Sequence, residues 1–340
     1  MEKTFYFLSN HAGYANNNKR HARKHRNRPV NKCGDDAAQA SIWYNRQFVA
    51  WKQRDRGAML SFVLIISSIV IINGQSVPCG VPVVPPSLIN KRIVGGSAAV
   101  QGSWPWMVMI ADDASIISGA GSILGPRVIM TSAQVFKGDG FDYRAETDIT
   151  QWALYTGSHS ISSTATNEQN FTIKSIMIHE NYNTTSLAND IALIITDKDI
   201  VYNDHTRPIC LPAKGHTYHV GDTCYVAAWG DTTNINDEVL FQAPMPILGD
   251  QACQTRYPDY IVGTELCAGY IDGRKDFCDD DIGAPLVCKD DQSGVWSAIG
   301  IASSGGNCRT GHSPGIYEDV SKYTAWVRTT MENAGFPYAY

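Results

Sequence analysis

The sequence predicts an all-β sandwich or barrel, closed by one C-terminal helix. Three observations predict it. After residue 92, short runs rich in Val, Ile, Tyr and Trp alternate with Gly, Asn, Asp and Ser, the rhythm of short strands joined by turns. No helical period appears until the end, where Tyr323, Trp326, Val327, Thr330 and Met331 recur at three- and four-residue spacing. Eight of the nine cysteines follow an apolar stretch at 59–72, an even set of the kind that forms disulfides in secreted domains. With 340 residues, 44% of them hydrophobic, the chain is long enough for a sizeable core and one or two domains.

In chain order, residues 1–58 come first. They carry 12 Lys and Arg against 4 Asp and Glu, and they hold the ninth cysteine, Cys33. The run KRHARKHRNR at 19–28 reads as a solvated, disordered segment, with RNA or an anionic membrane face as the alternative. Residues 59–340 carry 16 against 29, an acidity that argues against nucleic acid as a partner.

The stretch MLSFVLIISSIVII follows at 59–72. Its residues at ~1.5 Å each reach about 21 Å as a helix, short of the ~30 Å bilayer core. That length suits a signal peptide over 59–76, with small residues at Gly74 and Ser76 before the cut. Residues 1–58 would then be an extension of the gene model, since Met59 makes a natural start. The alternative is a type II anchor with a basic cytoplasmic tail, in which 59–72 stay in the membrane.

The strand candidates are WPWMVMI, SILGPRVIMTSA, FTIKSIMIH, DIALIITD, CYVAAWG, LVC, WSAIGIASSG and GIYEDV, each short and β-branched or aromatic. Ser321 is the expected cap of the closing helix, and Gly335 its expected end. Asn170-Phe-Thr and Asn183-Thr-Thr are candidate glycosylation sites on a secreted chain. Eight cysteines allow 105 pairings, and spacing alone does not choose among them.

Several stretches in colinear order carry a resemblance: KRIVGG (91–96), NDIALI (189–194), CYVAAWG (224–230), ELCAGY (265–270), CDDDIGAPLVC (278–288) and PGIY (314–317). Over residues 79–340 the chain resembles the trypsin/chymotrypsin-like serine proteases, and residues 77–92 are similar to a chymotrypsinogen-type propeptide. The resemblance implies two antiparallel six-stranded β-barrels over 93–340, a cleft between them and a C-terminal helix. It implies the disulfides Cys79–Cys210, Cys224–Cys288, Cys253–Cys267 and Cys278–Cys308. A fifth family bridge falls on Gly119 and Val135, so both of its halves are missing.

Serine-protease chemistry needs a hydroxyl nucleophile, a base to take its proton and a carboxylate to orient the base. MTSAQVF (130–136) resembles the family's base segment, and the base position holds Gln134. A glutamine amide accepts no proton near neutral pH. The carboxylate position holds Asp190, and the nucleophile position holds Ile282. Losing the serine or the histidine alone costs about 2 × 10⁶-fold in a well-studied serine protease. Asp280 replaces an oxyanion-hole glycine and would repel a developing negative charge, and Ala284 replaces a second glycine. Without an imidazole to orient, Asp190 is expected to serve as a buried acceptor for local N–H groups.

Other parts of the family pattern are kept. The resemblance implies cleavage between Arg92 and Ile93, after which the new terminus pairs with Asp281. Asp276 falls where trypsin-like members hold the carboxylate that selects Arg or Lys. Phe277, Ser303, Ser304, Gly305 and Gly315 are the other pocket positions; Phe277 is bulky, and a closed pocket is expected. Of the family's calcium loop only Glu168 remains as a carboxylate, so neither a metal nor a cofactor is expected. In the row Asp279, Asp280 and Asp281, the last is expected to serve Ile93 and its neighbours to face water, with a cation site as the alternative.

The expected function is that of a secreted, non-catalytic serine protease homologue. Such a protein binds extracellular proteases or their substrates as a cofactor or regulator of a cascade, in defence among other settings, and is processed by a trypsin-like protease. The alternatives are an active trypsin-like endopeptidase with an atypical site, and a structural or vestigial secreted protein.

Overall fold

A computed structural model describes residues 77–88, 96–112, 117–137, 148–161, 166–213, 218–229, 239–271, 281–305 and 314–340. The expectations for residues 1–76, the Arg92–Ile93 bond, Asp276, Phe277, Asp279, Asp280 and the Cys278–Cys308 bridge lie outside them. Among the described residues no helix is long and apolar enough to cross a membrane.

The first described strand, β1 (Ser97–Ala98), belongs to the second sheet. The first barrel is built from β2 (Met107–Ala111), β3 (Ile117–Gly125), β4 (Val128–Thr131), β5 (Ala153–Thr156), β6 (Gln169–Ile178) and β7 (Ala192–Thr196). It closes in the order β2-β3-β4-β7-β6-β5, antiparallel throughout. Side chains alternate across a strand, and in β2, β4 and β7 both faces are buried. Val108, Ile110, Ile129 and Ile194 fill the barrel with Leu154 and Phe171. Their neighbours Met107, Met109, Met130, Leu193 and Ile195 point the other way, into a core shared with the second sheet. That double burial explains why these strands read as unbroken apolar runs. Each such side chain contributes on the order of 1.5–3 kcal/mol by leaving water.

The second sheet adds β8 (Thr223–Ala228), β9 (Phe241–Pro246), β10 (Glu265–Ala268), β11 (Pro285–Lys289), β12 (Trp296–Ser304) and β13 (Gly315–Asp319) in the order β1-β9-β8-β11-β12-β13-β10. A bridge between Ile247 and Ala268 joins the ends of β9 and β10. Six strands thus form a ring, and the expected six-stranded barrel carries β1 as a seventh. Ser97 pairs with Gln242, and Gly96 makes the approach possible. Its φ is +92°, and a Cβ there would stand 2.8 Å from the Gln242 carbonyl oxygen.

Among the described residues three α-helices complete the fold: α1 (Gln134–Lys137), α2 (Asp250–Arg256) and α3 (Val320–Asn333), with a 3-10 turn at Ile149–Gln151. α3 starts directly from β13, so its cap is Asp319 and not Ser321; the Asp319 side chain accepts from the Ser321 N–H at 2.9 Å. Tyr323, Val327 and Met331 form its buried face, and Trp326 is half-buried. Gly335, at φ +83°, ends the helix as expected, with Phe336 N–H returning to the Met331 carbonyl at 2.9 Å.

Disulfides join Cys79 to Cys210, Cys224 to Cys288 and Cys253 to Cys267. The first holds residues 79–88 against the body of the molecule. Gly80 donates to Pro208 O at 2.8 Å and accepts from Trp296 N at 2.9 Å, and Gln242 Nε2 donates to Ser87 O at 2.7 Å. Asn170 on β6 and Asn183 are exposed.

Candidate functional site

The two barrels meet at Asp190. β4 runs out at Thr131, and Ser132 and Ala133 lead into the single turn of α1, which delivers Gln134. Asp190 stands just before β7, after Asn189, whose φ of +60° turns the chain inward. Ser303 lies near the end of β12 in the second sheet. These four residues, Ser132, Gln134, Asp190 and Ser303, converge from three separate segments.

Asp190 is fully buried. Its Oδ2 accepts from Ser132 Oγ at 2.6 Å, Ser303 Oγ at 2.7 Å and Gln134 Nε2 at 2.9 Å, and its Oδ1 accepts from Gln134 N at 2.8 Å. Burial pushes this carboxyl above its ordinary range, and the four hydrogen bonds act against that rise. The Gln134 amide also donates to the Ser303 carbonyl. Both of its N–H bonds are therefore committed, one to the carboxylate and one to the second sheet. An amide so held donates, and it takes no proton from a neighbour.

Ile282 stands half-buried in the turn before β11. Its carbonyl accepts from Ala120 N on β3 at 2.8 Å. Gly283 follows at φ +86°; a Cβ there would lie 2.2 Å from Thr131 Oγ1 and 2.3 Å from Ala120 O. The turn is thus pressed flat against the first barrel. Gly119 and Val135, the two positions of the missing bridge, lie side by side. A Cβ on Gly119 would meet Val135 Cγ2 at 2.7 Å and Ile282 O at 2.8 Å, so valine occupies the space between them.

The remaining expected positions fall around this centre. Asp281 is buried, and Ile93 lies outside the described residues. Ser304 is half-buried, Gly305 exposed, and Gly315 buried on β13. Ala284 is buried. Glu168 accepts from Ser158 Oγ at 2.6 Å. Among the described residues no three of His, Cys, Asp and Glu gather as a metal-binding group.

One residue was missed in the sequence. Glu318, on β13, is 1% exposed. It accepts from Asp190 N at 2.9 Å and from Tyr323 Oη at 2.6 Å, and burial pushes its carboxyl up to about 7. The signal was the Glu-Asp pair inside the strand candidate GIYEDV, where an apolar residue would be the ordinary choice.

Comparison with known proteins matches residues 93–327 to the Trypsin family model. Coagulation factor XI of Bos taurus is 31% identical over 245 residues, which make up 70% of this chain and 38% of that protein. The chain therefore spans well under two thirds of the relative it matches. The family match covers most of the chain and takes in both barrels and most of α3, and on that ground the chain belongs to the trypsin family.

Proposed function

We propose that this chain is a non-catalytic member of its family that acts by binding, as a secreted cofactor or regulator in a protease cascade. The observation that carries the reading is the commitment of the Gln134 amide. It sits at the base position, donates both N–H bonds to Asp190 and Ser303, and faces no hydroxyl at residue 282. A coagulation factor among the relatives supports the cascade setting. Processing after Arg92 would free Ile93 for Asp281 and gate the binding surface.

The catalytic half of the proposal is tested with a serine-reactive fluorophosphonate, offered to the intact chain and to the chain cut after Arg92. No label on either form is expected. Label on the cut form would overturn the reading and favour an active endopeptidase. The binding half is tested by capture from the native extracellular fluid with both forms, read by quantitative mass spectrometry. Proteases or their substrates enriched on the cut form are expected, and equal partners on both forms would sink the gating step.

A further inference from the structure

Two further carboxylates, Asp190 and Glu265, act on buried Glu318, and among the described residues no Lys or Arg faces it. Asp190 reaches it from the segment before β7, through its backbone N–H. Glu265 stands directly opposite on β10, in register with Glu318, and burial raises its carboxyl too. Asp319 follows on the chain and has Lys322 Nζ at 3.6 Å from Oδ2. From β12 the facing residue is Ile301, which is apolar. From α3 comes Tyr323, its phenol held neutral by burial, with the His179 ring edge-on against it at 5.5 Å. A negative charge at Glu318 therefore meets like charges and hydrocarbon, opposed by the Tyr323 O–H and the Asp190 N–H.

The geometry also serves the neutral acid. Tyr323 Oη lies 2.6 Å from Glu318 Oε2 and 3.3 Å from Asn189 Oδ1. The Asn189 amide is oriented, because its Nδ2 donates to Asn181 O at 3.0 Å and leaves Oδ1 facing the phenol. With Glu318 ionised, the phenol O–H donates to the carboxylate. With Glu318 protonated, its O–H donates to Tyr323 Oη and the phenol proton turns to Asn189. Each state keeps its buried polar groups satisfied, which a chance burial of glutamate would not.

We propose that Glu318 is a proton-binding site at the joint between the barrels, held ready in both charge states by the Tyr323–Asn189 relay. The proton comes from solvent and returns to it, and no bond other than O–H forms or breaks. Taking it up removes one negative charge beside Asp190 and tightens the joint. The proposal is independent of whether the chain cuts peptides.

The test is NMR of the full chain carrying ¹³C at the glutamate carboxyl carbons, titrated from pH 4 to 9. One resonance, absent from Glu318→Gln, should titrate near 7 rather than near 4.5. A Glu318 midpoint in the ordinary carboxylate range would overturn the proposal. Tyr323→Phe keeps the carboxylate and deletes the relay, so it reads the site even if Glu318→Gln does not fold. Its midpoint should move upward, since a donor to a charged oxygen is the stronger bond lost. An unmoved midpoint would refute the relay.

Discussion

Truncating Gln134 to alanine would leave Asp190 with three of its four donors and the Ser303 carbonyl without the amide N–H. A buried acceptor left short costs about 1–3 kcal/mol, more when it is charged. Gln134→Ala should lower the unfolding free energy by that order, and the urea midpoint with it. Gln134→His places a ring N–H within the same reach and should recover most of the loss. Gln134→Glu sets a second carboxylate beside the first and should be the worst of the three. Urea titration of the three variants checks the ranking. A Gln134→Ala chain as stable as the parent would mean that the amide is a bystander. The substitution itself was plain in the sequence. What it does was not, because a hydrogen bond to Ser303, distant in the chain, is set by the docking of two barrels.

At the scale of elements, α3 shows how a local signal misplaces a boundary. Ser321 is a good cap by residue type, and the apolar period beyond it was clear. β13 passes straight into the helix, and that junction makes Asp319 the cap. Asp319→Ala should cost about 1 kcal/mol, and Ser321→Ala should stay within about 0.5 kcal/mol. The comparison belongs at pH 5, where Glu318 is protonated and its charge does not enter. Equal losses would return the cap to Ser321. The strands themselves were legible because each carries its own β-branched run. The seventh strand of the second sheet was not, since two residues, Ser97 and Ala98, carry no pattern. Gly96 was the one local hint, and its reason lies across the sheet at Gln242.

For the whole molecule, the carboxylates gathered at the joint set an unusual pH dependence. Burial raises Asp190, Glu265 and Glu318 alike, and for each it is the leading cause. A carboxyl raised on folding binds its proton more tightly in the folded chain than in the unfolded one. Its contribution is fully present below the unfolded value, and it is lost as pH rises through the folded one. For Glu318 that window runs from 4.5 to about 7. At about 1.36 kcal/mol for each unit, the loss across it is at most on the order of 3 kcal/mol. Asp148, Glu180 and His159 are lowered, which works in the opposite direction; the two carboxylates are fully exposed and screened by solvent, while His159, lowered by burial, offsets part of the effect at the acid end. The chain should therefore be more stable at pH 5 than at pH 8, in guanidinium titrations at one ionic strength. Glu318→Gln, neutral at every pH, should flatten most of that slope. A slope unchanged in the variant would place the effect on Asp190 and Glu265, and a chain most stable at pH 8 would show that the hydrogen bonds to these carboxylates outweigh their burial.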